Sequence, residues 1–422
     1  MRHVVTCFLK HPEEPTVLLG HRSDEVHTYP GHWAAISGSV EAADPVEQAF
    51  REIAEETGLD RDRVRLEAVG WPIRFTDWDL GTVWVVHPFR FRCLAPDEVR
   101  RDWEHVRLEW VRPERMGRLT TVPKLQEAYV SADSADGRPD HEWAFRRIER
   151  DREHGAEELG LWTLMALQIV ADRAPEDLED ACRRALSLRP SMAAVRSAAL
   201  DAYGAVHDHE GGASDAIQVV LEDREANSVR VGESAAARLP DGAVVVTISR
   251  SFSVLATLRE AAERVGRLVV AESRPACEGR GTAELAASFG IEVELMTDAA
   301  AAGIVGEADV VLFGADSLLA DGSVVNKTGT FALCCAARRH DVPALAVATR
   351  SKILPAGFRP EMEEMSPDEL GKPIEGVQRR NVYFEKVPAE MITETAAADR
   401  PLTREAISTR ASHLATLQRD LA

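Results

Sequence analysis

Lysine is scarce in this chain. Only six of its 50 basic residues are lysines (positions 10, 124, 327, 352, 372 and 386), and the rest are arginine. Against 70 acidic residues this leaves a net charge of −20, which disfavours contact with nucleic acid phosphates, so no nucleic-acid partner is expected. An acidic, arginine-rich composition fits either a GC-rich genome or a salt-adapted organism. No apolar run approaches the ~20 residues needed to cross a bilayer, which excludes a membrane helix. The opening MRHVVTCFLKHPEEP turns polar too soon for a secretory signal, and a cytoplasmic location is the default expectation. The six cysteines (7, 93, 182, 277, 334 and 335) include no CxxC pair and no Cys/His cluster at zinc spacing. They are expected to be reduced and mostly buried small apolar groups. Internal repeats and low-complexity segments are also lacking.

What is present is enough chain, 422 residues, for two or three domains. Residues 3–9 and 16–20 read as strands, Pro30-Gly31 as a turn, and 45–57 as a helix with Pro45 at its start and Gly58 just past its end. Strand-like runs follow at 65–75, 82–92 and 106–111, an α+β order of elements. The polar stretch 131–140 reads as a linker. Residues 141–235 read as helical, with breaks at Pro175, Pro190 and Gly211-Gly212. From about 240, apolar runs at 243–249, 267–273, 291–298, 309–316 and 344–349 alternate with helical stretches. Such continuous runs predict strands covered on both faces, hence a parallel sheet.

Two segments carry chemistry. In the first, Arg51-Glu52-Ile53-Ala54-Glu55-Glu56-Thr57-Gly58-Leu59, the glutamates at 52, 55 and 56 fall on one helical face. Like charges at that spacing repel, and a hard cation such as Mg²⁺ or Mn²⁺ would relieve them while bridging substrate phosphate oxygens. Taken alone, the segment would equally describe a solvated acidic face. In the second, strand ends in the later half carry Ser249-Arg250-Ser251, Glu272-Ser273-Arg274, Asp298, Asp316 and Thr349. Ligands of open parallel sheets bind beyond such ends. The run Asn326-Lys327-Thr328-Gly329-Thr330 adds a lysine and hydroxyl donors near a helix start, as a phosphate site would.

The first segment resembles the Nudix box, G-x5-E-x7-R-E-U-x-E-E-x-G-U. Gly38 supplies the first glycine, Arg51 to Leu59 match the second half, and Glu41 lies within the first half. Two departures stand out: Asp44 replaces the first glutamate, and six residues rather than seven separate it from Arg51. The resemblance implies that Glu52, Glu55 and Glu56 bind metal and that Arg51 orients them. It also suggests Glu104, six residues before Trp110, as a further ligand or general base. A base-stacking role for Trp71, Phe75, Trp78 or Trp84 is weighed against simple packing, and packing is favoured.

The later half resembles the family of translation initiation factor 2B alpha/beta/delta subunits. That family includes methylthioribose-1-phosphate isomerase and ribose-1,5-bisphosphate isomerase. The resemblance rests on VVVTISRSFSVL (244–255), AESRP (271–275), the GAD segment ending at Asp316, DGSVVNKTGT (321–330) and NVYFEKVPAEMIT (381–393). It implies catalysis by a cysteine–aspartate pair, the aspartate matching Asp316; at the cysteine position stands Ser249. Ser251 is a residue that regulatory subunits show. The isomerases' Arg-Gly-Ala phosphate segment reads His154-Gly155-Ala156, and Arg189-Pro190 matches a second family Arg-Pro. The implied ligand set is Arg189, Ser249, Ser251, Arg274, Asn326 and Lys327.

The expected architecture is thus an α+β Nudix fold (1–132) followed by a helical subdomain (141–235) and an α/β Rossmann-like parallel-sheet subdomain (236–422). The expected activity is metal-dependent hydrolysis of a nucleoside diphosphate derivative, such as the nucleotide sugar ADP-ribose. The second half is expected to bind a sugar phosphate or nucleoside monophosphate and to form a homo-oligomer. The competing readings make it a noncatalytic sensor or assembly module, or a translation-factor scaffold.

Overall fold

The structure is a computed structural model that describes residues 2–40, 44–133, 141–151, 155–189, 192–208, 211–360, 362 and 364–422. Glu41, His154, Pro190 and most of the expected linker lie outside the described residues. The chain divides into two compact units, residues 1–140 and 141–422. No helix among the described residues is long and apolar enough to cross a membrane.

The first unit runs β1 (Arg2–Lys10), β2 (Val17–Arg22), β3 (Trp33–Ala34), β4 (Ile36–Ser39), α1 (Pro45–Thr57), β5 (Val64–Val69), β6 (Ile73–Asp77), β7 (Thr82–Cys93), β8 (His105–Val111) and α2 (Leu125–Asp133). Its eight strands form one mixed sheet in which β1 pairs in parallel with β7 and antiparallel with β4 and β2, while β8 pairs with β2. Alternate residues of β1 face opposite sides. Val5, Cys7 and Leu9 pack on the α1 side with Ile53 and Phe91, and Phe8 packs on the α2 side with Val17, Leu125 and Ala128. The run expected as one strand at 65–75 is two, broken at Gly70. A side chain there would meet the Ala132 backbone and the Pro88 ring at 2.8 Å. Residues 131–133, expected in the linker, close α2, where Ser131 Oγ donates to the Trp71 carbonyl at 2.9 Å.

Helix α1 has both expected ends. The Asp44 carboxylate accepts from Val46 N at 2.8 Å as N-cap, Pro45 occupies the first turn, and Gly58 closes the helix at φ 72°. The residue standing at the box's first glutamate is therefore engaged at the helix start. That gives the shortened spacing a structural consequence.

The second unit begins with five helices, α3 (His141–Arg150), α4 (Ala156–Arg173), α5 (Leu178–Leu186), α6 (Ala193–Asp208) and α7 (Ala213–Ala236). There follow β9 (Ala243–Ile248), α8 (Phe252–Glu260), β10 (Val265–Ala271), α9 (Gly279–Ser288), β11 (Val293–Met296), α10 (Asp298–Gly303) and β12 (Val310–Gly314). The chain finishes with β13 (Ser317–Leu318), β14 (Val324–Lys327), α11 (Thr330–Arg339), β15 (Ala344–Val347), β16 (Phe384–Val387), β17 (Glu394–Ala396) and α12 (Arg404–Leu421). The main sheet has the order β11-β10-β9-β12-β15-β17, all parallel. Strands β9, β10, β12 and β15 are largely buried, as their unbroken apolar runs predict, whereas β11, at the sheet edge, is only partly buried, with Leu295 exposed. The order reverses between β9 and β12, and that switch point is where an open parallel sheet leaves a crevice. A second, antiparallel sheet β13-β14-β16, unforeseen in the sequence, carries Asn326 and Lys327.

Candidate functional sites

In the first unit α1 lies against β4 and β1. Glu56 is 3% exposed, and its Oε1 accepts from the Ser37 backbone N–H at 2.9 Å. Burial pushes its carboxyl well above the usual carboxylate range, and Glu104, Glu52 and Asp102 push it the same way against the Ser37 hydrogen bond. Glu104 is half-buried and also raised, first by burial, then by Asp102 and Glu55, with Arg22 opposing. Glu52 is half-buried and accepts from Gln48 Nε2 at 2.7 Å, whereas Glu55 and Arg51 are exposed. The helical face read from the sequence is therefore graded from buried Glu56 through Glu52 to exposed Glu55. Among the described residues, no three carboxylate, imidazole or thiol groups already converge as a metal-ligand set.

Close packing shapes this cluster at two glycines. A Cβ on Gly38 would lie 2.0 Å from the Glu52 carboxylate, and one on Gly20 would lie 2.1 Å from the His105 ring. His105, which sequence reasoning passed over, is 1% exposed, with Nδ1 3.1 Å from Asp102 Oδ1 and Nε2 3.5 Å from Glu56 Oε2. Burial lowers its pKa against the pull of Asp102. Both shifts weaken an ion pair between the two groups.

Three of the aromatic residues weighed for base stacking, Trp71, Phe75 and Trp84, have structural surroundings. Trp71 is 1% exposed and Phe75 packs against the α2-side core. Trp84 Nε1 donates to Asp77 Oδ2 at 3.1 Å, the oxygen that also accepts from the Tyr29 hydroxyl.

In the second unit the switch point gathers part of the expected set. Ser249 follows β9 at φ 66°, its N–H donating to Ser273 Oγ at 2.6 Å and its carbonyl accepting from Thr282 Oγ1 at 2.8 Å. Ser251 sits against Gly314, where a Cβ would be 2.4 Å from its Oγ. Turned so that its nitrogen faces acceptors, the Asn326 amide donates to Asp316 Oδ2 at 3.3 Å and to the Gly314 carbonyl at 3.1 Å.

Other expected contributors have different work. Asp298 accepts from Ser273 N and Arg274 N at 2.7 and 2.9 Å, so its carboxylate holds the loop. Thr349 Oγ1 donates to partly buried Glu157 at 3.1 Å, and Arg189 donates to the Asp151 carbonyl at 2.9 Å. Arg274 is exposed.

The expectation of an open phosphate cradle at Asn326–Thr330 needs correction. Lys327 is 5% exposed, its Nζ lies 2.6 Å from Glu278 Oε1, and it sits over the Tyr383 ring at 3.8 Å. The start of α11 is likewise taken: Gly329 N and Phe331 N both donate to Glu385 Oε1, at 2.7 and 2.8 Å. Two internal carboxylates fill the places an anion would take. Neither could be foreseen, because Glu278 comes from the approach to α9 and Glu385 from β16.

The two sites define a two-part chain: an α+β unit built around a carboxylate helix, and a doubly wound parallel-sheet unit with a polar crevice at its switch point. Residues 152–396, more than half the chain, match the Initiation factor 2 subunit family, and residues 1–131 match the NUDIX domain. The chain belongs to the initiation factor 2 subunit family and carries a NUDIX domain ahead of the matching region.

Among its relatives, the ribose 1,5-bisphosphate isomerase of Archaeoglobus fulgidus is 32% identical over 173 residues, 39% of this chain and 55% of the relative. That of Haloterrigena turkmenica is 38% identical over 146 residues, 33% of this chain and 45% of the relative. The chain thus spans about half the length of the curated relatives it matches. The translation initiation factor eIF-2B of Pyrococcus horikoshii is similar in structure, with a TM-score of 0.54, 26% identity, and coverage of 62% of this chain and 96% of that one. The 5-methylthioribose 1-phosphate isomerase of the same organism shares the fold, with a TM-score of 0.51, 19% identity and coverage of 84% and 95%.

Proposed function

We propose that the first unit hydrolyses a diphosphate bond in a nucleoside diphosphate derivative with Mg²⁺ or Mn²⁺, and that the second binds a sugar phosphate or nucleoside monophosphate. The observation carrying the first half is the gathering of Glu52, Glu56, Glu104 and Asp102. These groups raise the pKa of Glu56 by mutual repulsion on top of burial. A hard divalent cation reverses that logic, and an all-oxygen donor set suits it. Glu52, Glu56 and Glu104 would hold it, with Glu55 at the exposed edge and Arg51 beside it on the helix. When bound, the cation supplies charge neutralisation at the diphosphate oxygens and activation of a water. Ser37 N–H fixes one oxygen of Glu56, leaving the other toward the cluster. Glu104, half-buried with a raised pKa, is suited to take the proton of an attacking water at its carboxylate.

In the second unit Asp316 and Asn326 would bind ribose hydroxyls, while Arg274 and Lys327 would bind the anion once Glu278 gives way. The relatives named ribose 1,5-bisphosphate isomerase suggest that ligand class. A serine hydroxyl at position 249 is far too weak an acid to partner Asp316 in proton transfer near neutrality, so binding without turnover is the reading we favour. Hydrolysis of ADP-ribose yields a ribose phosphate and AMP, both of the class this crevice suits. A homo-oligomer formed through the second unit and a cytoplasmic location belong to the same proposal.

The test is incubation of the purified chain with a panel of nucleoside diphosphate derivatives and Mg²⁺, with product analysis. Hydrolysis lost in Glu56→Gln supports the reading, and no hydrolysis of any member overturns it. For the second unit, a ketose-forming assay on wild type and Ser249→Cys is run beside calorimetry with ribose phosphates. Binding without wild-type turnover is expected. Robust wild-type turnover would reject the sensor reading, and no binding would leave an assembly module.

A further inference from the structure

The cluster contains one buried polar group for which neither the box motif nor the proposed hydrolysis accounts. His105 is 1% exposed, and its Nε2 is buried without a hydrogen-bond partner. That atom faces Glu56 Oε2 at 3.5 Å, while the other ring nitrogen is anchored 3.1 Å from Asp102 Oδ1. Burying an imidazole nitrogen with nothing to bond costs free energy, so a chain that merely needed filler would do better with an apolar ring.

The backbone is arranged to put His105 there. Strand β8 pairs residue for residue with β2 from Val17↔Val111 to His21↔Arg107, then skips Val106 so that Arg22 pairs with His105. That bulge reverses the alternation of side chains. Leu108 and Trp110 pack toward α1, and in an unbroken strand Val106 would follow them. Instead Val106 is 57% exposed, and His105 takes the place beneath the helix. Gly20, on the neighbouring strand, supplies the space, since a Cβ there would overlap the imidazole at 2.1 Å. A bulge, a glycine and an anchoring carboxylate thus converge on one result: an imidazole nitrogen aimed at the inner oxygen of Glu56.

We propose that His105, anchored by Asp102, is a positioning residue that orients the Glu56 carboxylate for divalent-metal binding. This rests on the metal-dependent reading of the first unit. Ser37 N–H holds one oxygen of Glu56, and His105 sets the other, so the carboxylate is defined at both ends. Groups that orient metal ligands in this way are worth roughly 10–100-fold in metal affinity.

The experiment uses the full-length chain and Mn²⁺ itself as the probe. Free Mn²⁺ is counted by electron paramagnetic resonance, alongside the Mg²⁺ activation constant and kcat of hydrolysis. Two substitutions separate the ends of the ring: the Gln amide nitrogen reaches the place of Nε2, and the Asn amide reaches only that of Nδ1. We expect His105→Asn to weaken Mn²⁺ binding about 10-fold or more and to raise the Mg²⁺ activation constant in step, with thermal unfolding showing a folded first unit. His105→Gln should recover most of the affinity. Such rescue by the variant that keeps a group facing Glu56 is not expected of a space-filling residue. A folded His105→Asn protein that binds Mn²⁺ as tightly as wild type overturns the role of His105 while leaving the metal reading intact. The role is also overturned if the Gln and Asn variants are equally impaired. Wild-type protein that binds no Mn²⁺ removes the metal reading, and this proposal with it.

Discussion

Gly38→Ala offers a way to separate the candidate site from the fold. Gly38 sits on β4 in ordinary extended-strand territory, outside the left-handed backbone region, so alanine brings no backbone strain. Its new methyl would lie 2.0 Å from Glu52 Cδ and Oε1, where ordinary contact begins at 3.4 Å. The carboxylate must therefore retreat by about 1.4 Å, since neighbouring strand and helix backbones yield less readily than the end of a flexible side chain. The retreat breaks the 2.7 Å bond from Gln48, a loss of about 1 kcal/mol. The alanine recovers about 0.5 kcal/mol of backbone entropy relative to glycine. Stability should therefore change by less than about 1 kcal/mol, a shift of a few degrees in the melting midpoint at most. Activity should fall far more, because displacing a reacting group by about 1 Å costs on the order of 100-fold. The assay pairs a thermal melt with kcat/KM for the best hydrolysis substrate across a Mg²⁺ titration. Wild-type kcat/KM in the variant would refute the placement of Glu52 in the site, and an unfolded protein would refute the claim that only a side-chain tip stands in the way.

Glu56→Gln should abolish hydrolysis while leaving stability at pH 7 equal or higher, because it replaces a buried carboxyl of raised pKa by a neutral isostere that still accepts from Ser37; urea unfolding beside the activity assay reads both, and marked destabilisation would count against this account of Glu56. His87, stacked on His3 with nitrogens 3.0 Å apart, is held down to about 3 by burial and then by His3, from 6.5. The unfolded chain therefore binds more protons between those values, so stability is full above about 6.5 and declines as pH falls toward 3, by about 1–2 kcal/mol at pH 5 after allowance for partial solvent contact. The midpoint of the first unit should fall less with pH in His87→Gln, and an equal fall would reject the assignment. Glu278→Gln should free Lys327 and tighten binding of inorganic phosphate or ribose 5-phosphate several-fold, about tenfold at most, by calorimetry; unchanged or weaker binding would show that Lys327 does not serve an anion. Residues 1–135 expressed alone should give active hydrolase, and an inactive fragment beside an active full chain would mean that the units share a site.

Much of this was legible in the sequence because it depends on local rules. Helix α1 could be bounded to the residue, since Pro45 at the start and Gly58 past the end act through their own backbones. Strands β9, β10, β12 and β15 could be placed because burial on both faces demands unbroken apolar runs; edge strand β11 is only partly buried, and β17, three residues long, leaves no such trace. Glu52, Glu55 and Glu56 of the first site were readable because their spacing is a property of one helix. Long-range arrangement was not. Whether His105 or Val106 faces α1 depends on a skipped pairing between β2 and β8, and alternation along β8 alone points to the wrong residue.

The sequence by itself determined the two-part division, the types of most of the longer elements and most of the chemical inventory of each site, since periodicity, capping and composition act over a few residues. Tertiary structure decided how that inventory is used. It buried Glu56 among other carboxylates, turned Asp298 to holding a loop and Thr349 to bonding Glu157 of α4, and brought Glu278 and Glu385, far apart in the chain, onto Lys327 and the start of α11. The physical reason is that a charged group's state depends on its neighbours within a few ångströms and on its exclusion from water, and neither is settled until distant segments have packed.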